Sequence, residues 1–174
     1  DKPLPEQFIR YLGNLLRGDL GLSTKYHQRT VNEIIANGFP VTLSLAAIAL
    51  LWSLLVGITA GIIGAIRQNT VWDHVAMTAA LVGISVPSFV LGPLLVLTVS
   101  LRLHLLPPAG WGDWQHVVLP GLTLGTIYAA SIARLTRGGM LEVVRSDFIR
   151  TARAKGLSES LIVWRHMLRG GLLP

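Results

Sequence analysis

The chain contains no cysteine. That excludes a disulfide framework, a thiolate metal site and a cysteine nucleophile. Charge is scarce too: Asp, Glu, Lys and Arg make up 14% of the 174 residues, against 51% hydrophobic. The scarcity is concentrated, because no Asp, Glu, Lys, Arg or His occurs in Phe39 to Ile66, Val75 to Leu101 or Val117 to Ala133. At helical rise the shortest run, 17 residues, reaches roughly 26 Å and the longest, 28 residues, roughly 42 Å; a bilayer's hydrocarbon core is about 30 Å. A soluble helix of this length would need a polar face, which these runs lack. The expected fold class is therefore all-α, a polytopic helical transmembrane protein with spans at about 39–66, 75–101 and 117–135. No cleavable leader is expected, since each run is too long or too internal.

Further absences narrow the chemistry. The histidines (His27, His74, His104, His116, His166) fall in different loops without ligand spacing. No glycine-rich loop leads into a helix with a Lys-Ser/Thr pair. The chain is thus expected to carry no metal, no cofactor and no catalytic residue, and to be no enzyme. No ionisable group lies inside an apolar run, which argues against a proton relay or an embedded ion-pair gate.

What charge there is lies unevenly. The net charge is +6, and eight of the fifteen Lys and Arg residues fall between Arg134 and Arg169. A cluster just beyond the last apolar run is the positive-inside pattern, not a nucleic-acid surface. It predicts that residues 136–170 and the loop 67–74 are cytoplasmic, and that residues 1–38 and 102–116 lie outside. Five Lys and Arg residues before residue 39 run against the rule, as long extracytoplasmic segments can.

The polar segment 1–38 spaces Phe8, Leu12, Leu15 and Leu16 as an interfacial helix. A second helix is expected around 30–37, with Thr30 and Glu33 as a capping box, and Phe39-Pro40 opens the first span. Gly57, Gly61 and Gly64 share one face of that span; they either admit a neighbouring helix closely or are merely tolerated. Trp111 and Trp114 suit the membrane interface. In the second run, Pro87 removes a helical hydrogen bond and crowds the Gly83 carbonyl, which Ser85, Ser88 or a water could serve. Ser85, Pro87 and Ser88, with Thr123, Thr126, Tyr128 and Ser131 of the third run, are the candidate pathway-lining residues. An ordinary kink and backbone-bonded hydroxyls account for the same residues.

Past the last run, two helices are expected. Ser146 caps the first and Asp147 adds favourable charge at its N-terminus. Phe148, Ile149 and Ala152 form an apolar patch among Arg150, Arg153 and Lys155. Gly156 fits the C′ position, where positive φ costs glycine little. Ser158 caps the second helix, which bears Leu161, Ile162, Met167 and Leu168. Glu142, Asp147 and Glu159 sit among arginines as solvated surface pairs. Physics alone leaves docking to a partner and resting on anionic lipid equally open.

The segment Asp147-Phe148-Ile149-Arg150-Thr151-Ala152-Arg153-Ala154-Lys155-Gly156-Leu157-Ser158, with Arg165-His166 and Leu172-Leu173-Pro174, resembles the EAA loop of ABC importer permeases, in particular the peptide, oligopeptide and nickel permease family. Phe39-Pro40-Val41-Thr42-Leu43, Gln68-Asn69-Thr70, Ser85-Val86-Pro87-Ser88-Phe89 and Ile132-Ala133-Arg134-Leu135-Thr136-Arg137 agree with it, so the resemblance covers nearly the whole chain. Two departures from the general motif follow the peptide branch. Arg150-Thr151-Ala152 stands where the general motif has Glu-Ala-Ala. The final proline, Pro174, is eighteen positions after Gly156, and Arg169 occupies the general motif's position.

The resemblance implies a type I importer permease in a bacterial inner membrane, divided into an extracytoplasmic segment 1–38 and a permease domain 39–174. Members have one span before this stretch and two after it, so this is expected to be the central part of a six-span permease. Residues Asp147, Phe148 and Arg150 to Ser158 (Arg150, Thr151, Ala152, Arg153, Ala154, Lys155, Gly156, Leu157, Ser158), within a cytoplasmic segment 137–170, are implied to couple to ATPases. The implied partners are two cytoplasmic ATPase subunits carrying ATP and Mg, a homologous second permease, an extracytoplasmic substrate-binding protein, membrane lipid and a peptide substrate. A secondary transporter or channel without an ATPase is the alternative. Dipeptides, longer peptides, murein peptides, glutathione and nickel chelates all remain open as cargo.

Overall fold

A computed structural model describes residues 3–171, so the Leu172-Leu173-Pro174 end of the motif lies outside the described residues. The regular structure of these residues is all helical, apart from one isolated antiparallel bridge between Leu22 and Thr30. The predicted fold class is the one observed. The chain divides into two compact units, Asp1–Ser44 and Leu45–Pro174.

The first unit holds α1 (Leu4–Leu16) and the start of α2 (Val31–Ile66). No residue of α1 is buried, and its apolar side chains, among them Leu4, Phe8 and Leu16, are exposed. Between the helices a loop is closed by Asn32, whose Oδ1 accepts from the Leu20 N–H at 2.9 Å, and by the Val31 N–H on the Gly21 carbonyl at 2.9 Å. The capping box forms as the sequence suggests. The Glu33 N–H donates to Thr30 Oγ1 at 3.1 Å, and the Thr30 N–H donates to Glu33 Oε2 at 3.3 Å. Thr30→Ala is expected to cost about 1 kcal/mol of local helix stability, read as faster hydrogen exchange at the Asn32, Glu33 and Ile34 amides.

The expected break between a helix at 30–37 and a span from Phe39 does not occur, because α2 continues through Pro40 to Ile66. Proline removes a single backbone bond there, and a membrane helix tolerates that loss. Among the described residues two helices, α2 and α5 (Trp114–Val144), are long and apolar enough to cross a membrane alone.

The run Val75 to Leu101 is different. It lies in α3 (Val71–Ser85) and α4 (Ser88–Leu95), which continues as a π-helical segment Val96–Arg102, and the two halves meet at 107°. Proline explains the break. Val86 and Pro87 take extended conformations, and Pro87 starts the next helix by accepting the Val90 and Leu91 N–H groups at 2.9 and 3.0 Å. The hydroxyl of Ser85 bonds the Leu81 carbonyl at 2.8 Å instead of serving Gly83.

Helices α2 and α5 meet along a seam of glycine. A Cβ on Gly57 would lie 2.7 Å from the Ala129 carbonyl oxygen, and one on Gly61 would lie 2.7 Å from that of Ala133. Opposite them, Gly125 brings α5 onto the backbone of α2, where a Cβ would stand 2.6 Å from the Ala49 oxygen. The close-approach reading of Gly57 and Gly61 is thus the observed one, and the matching pair Gly121 and Gly125 on α5 was not anticipated.

Candidate functional site

Beyond α5 the chain turns at Arg145 and Ser146 into α6 (Asp147–Ala154). Ser146 occupies the N-cap position, but its hydroxyl donates back to the Val143 carbonyl at 2.6 Å instead of capping α6. The other end of α6 is closed by a Schellman turn. The Gly156 N–H donates to the Arg153 carbonyl at 2.9 Å and the Leu157 N–H to that of Ala152 at 3.3 Å. Gly156 has φ 75°, the left-handed conformation this turn requires. Ser158 then caps the next turn, its Oγ accepting from the Leu161 N–H at 3.4 Å. From there the chain runs as α7 (Glu159–Leu161), a π-helical segment Ile162–Met167 and α8 (Leu168–Gly171).

The two faces of α6 have different fates. Ile149 and Ala152 are buried with Met140 of α5, Ala65 of α2, and Ile162, Val163 and Met167. Full burial of a side chain like Ile149 contributes about 1.5–3 kcal/mol, enough to seat a short helix that is marginal in isolation. Phe148, expected in the same patch, points away and is 52% exposed, alongside exposed Arg150, Thr151, Ala154 and Lys155. Thr151 bonds its own helix at the Asp147 carbonyl, 2.9 Å away. Arg150 and Asp147 pair loosely at 3.4 Å on the surface. Across the turn, Arg153 grips Glu159 with two hydrogen bonds of 2.8 and 3.2 Å. The hydrogen bond to Arg153 holds the Glu159 carboxyl below its usual range, against an opposing contribution from partial burial. The coupling candidates therefore form one folded module: an apolar underside buried in the cluster with Ile162, Val163, Met167 and Met140, and an outer face of Phe148, Arg150, Thr151, Ala154 and Lys155.

The pathway candidates are not brought together as one lining. Thr126 and Gly83 border an apolar groove of about 710 Å³ along α3, with His74 and Thr78 adding polarity. Ser88 and Thr123 border a separate cavity of about 440 Å³ beside Pro107, Pro108 and His116. Tyr128 is 65% exposed, and the hydroxyls of Thr123, Thr126 and Ser131 bond the carbonyls of Leu119, Leu122 and Ile127. Thr126 also accepts a 3.3 Å hydrogen bond from Trp52 Nε1, which ties α2 to α5. Among the described residues no three His, Asp or Glu side chains converge as a metal site.

One ionic contact was not anticipated. Asp73, 2% exposed near the start of α3, receives Arg137 of α5 at 2.6 and 2.7 Å and the Asn69 N–H at 3.0 Å. An acid and a base flanking different apolar runs were its only signal in the sequence.

A pair of membrane-length helices, a proline-broken third and a helix-glycine-helix module after the last describe an architecture that comparison with known proteins can test. Residues 57–174 match the model of the binding-protein-dependent transport system inner membrane component family. The chain belongs to that family. It is 47% identical over 174 residues to the oligopeptide transport system permease protein OppB of Salmonella typhimurium strain LT2, and equally to that of Escherichia coli K12. It is 45% identical over 174 residues to the glutathione transport system permease protein GsiC of Escherichia coli O6:H1. These alignments take in 99–100% of the chain but only 56–57% of the relatives, so the chain spans just over half the length of the transport-system components it matches. Membership fixes the type I ABC permease fold and an inner-membrane class of protein.

Proposed function

We propose that the chain is the membrane core of an ATP-driven importer subunit that passes oligopeptides or dipeptides into the cytoplasm. In this reading Asp147 to Ser158 are the surface on which an ATPase subunit acts. The observation that carries it is the division of α6: Ile149 and Ala152 anchor the helix, while Phe148, Thr151 and Lys155 stand outward. A helix resting on lipid would need its apolar stripe free for the bilayer. In α6 that stripe is used internally, and a single aromatic projects among polar groups, as an anchor for a protein groove does.

Two ATPase subunits, holding ATP and Mg, would close and displace α6. The displacement passes to α5 through Met140 and switches the pathway between outward and inward access. A homologous permease would complete the pathway, with α6 on the cytoplasmic side. Residues 1–38 and 102–116 would face the binding protein outside. The nucleotide shifts this equilibrium only through its different affinity for the two states. Relatives named for oligopeptides and for glutathione support a peptide backbone as the common cargo feature. The groove along α3, mostly apolar with His74, Thr78 and Thr126, suits varied side chains.

The absence of cysteine from this stretch makes the test direct. Phe148→Cys in the complete transporter is expected to cross-link to an ATPase subunit, with a yield that changes when ATP is trapped. A cysteine that labels freely and cross-links to no ATPase, in membranes where peptide uptake persists, would favour a secondary transporter instead.

A further inference from the structure

We infer that Asp73 and Arg137 form a positioning latch that makes α3 move with the coupling module, leaving the Val86–Pro87 break as the hinge. The inference rests on the importer reading and specifies how motion of α6 would reach the broken helix.

The pair differs from the Arg153–Glu159 and Arg150–Asp147 pairs. Their side chains are exposed, whereas the Asp73 side chain keeps only 3% of its surface and that of Arg137 25%. The contact is bidentate, fork on carboxylate, and therefore fixes orientation as well as distance. Asp73 is held from behind as well, since the Asn69 N–H, on a residue at φ 62°, donates to the same carboxylate. The α2 backbone presses on the pair from a third side. A Cβ on Gly64 would lie 3.1 Å from both Arg137 Cδ and Asp73 Oδ1. Buried pairs of this kind add little net stability over apolar packing, so geometry is their better-supported contribution.

Its position gives that geometry a use. Along α5, Thr136 faces Gly61 of the seam, Arg137 holds Asp73, and one turn on Met140 is fully buried against Ile149 and Ala152 of α6. A push on α6 thus has a packed route to α3: through the buried cluster that Ile149 and Ala152 share with Ile162, Met167 and Met140, and from there along α5 to Arg137. Past Ser85 the continuity ends at the 107° bend. Helix α3 would pivot with α5 at that bend, changing the separation between α3 and Leu91 of α4 across the groove they line.

The test is the ratio of peptide imported to ATP hydrolysed by the complete transporter in proteoliposomes. Asp73→Asn and the neutral pair Asp73→Asn/Arg137→Gln are both expected to lower that ratio about tenfold while hydrolysis persists. The double variant leaves no unpaired charge, so it keeps the test informative should the single variant fail to assemble. Arg137→Lys keeps the charge without the fork and is expected to fall between wild type and the double variant. A wild-type ratio in an assembled double variant overturns the latch. So does a parallel loss of hydrolysis and import, which marks a merely structural contact. Failure of the importer reading would look different: wild-type complex without ATP-dependent import.

Discussion

Gly156→Arg is expected to abolish ATP-dependent uptake while the protein still inserts and folds. Two consequences of the substitution can be separated. Nothing lies within 4 Å of where a Cβ at Gly156 would stand, so the turn has room for a side chain. The conformational cost comes from φ 75°, about 1–2 kcal/mol for an ordinary residue and less for asparagine. That cost alone can loosen the Schellman turn but not displace Ile149 and Ala152 from their cluster. A long cation beside Lys155, on the face proposed to enter an ATPase groove, adds steric and like-charge obstruction there. Gly156→Asn should therefore retain most uptake, Gly156→Ala should retain less, and Gly156→Arg none. The measurement is uptake of a labelled peptide together with the amount of chain recovered from membranes. Loss in the Ala variant as large as in the Arg variant, with the Asn variant spared, would mean that the backbone conformation, not the surface, is what matters. Normal uptake by Gly156→Arg would remove this turn from the coupling surface.

Much of this architecture was legible because single-residue physics decides it. Uncharged runs of membrane length have few folded solutions, the Thr30–Glu33 box marks a helix start locally, and Gly156 states its own φ. Other features depend on partners distant in the chain. Asp73 and Arg137 are 64 residues apart, and neither motif nor period joins them. The split of Phe148 from Ile149 required knowing where Met140 and Ile162 lie, since periodicity places both residues in one broad patch. Pro40 and Pro87 illustrate the limit within one residue type. Pro40 passes through α2 with the loss of one bond, whereas Val86 before Pro87 goes extended and the helix restarts. Proline's local chemistry is identical in both; the neighbouring helix packing that rewards a bend is not written at either site. The hydroxyls proposed for a pathway were legible as hydroxyls only, because bonds to their own helices satisfy them equally well.

Gly61→Leu is expected to destabilise the α2–α5 pair by about 3 kcal/mol or more, enough to prevent recovery of a folded transporter. Apolar helices gain little by leaving lipid for one another, because the lipid chains are as apolar as their side chains. What holds such a pair is close van der Waals contact, and at Gly61 the contact is backbone against backbone. A Cβ there would meet Thr136 Cβ at 2.6 Å and the Ala133 oxygen at 2.7 Å. Neither atom is the end of a flexible chain, so the helices themselves must separate. Separation also lifts Thr136 and, beside it, the Arg137 fork, which spreads the damage to α3. Gly61→Ala should show a milder version, and Gly138→Ala on α5 serves as the control. Gly138 has nothing within 4 Å of its would-be Cβ and lies in a helix, so alanine there should be neutral or stabilising by up to about 1 kcal/mol. Unfolding midpoints in mixed detergent micelles for the complete transporter give the comparison. If Gly61→Leu unfolds with wild-type midpoint, the α2–α5 seam is not a tight glycine contact. If Gly138→Ala loses as much as Gly61→Ala, the cost reflects helix composition and not the approach of two backbones.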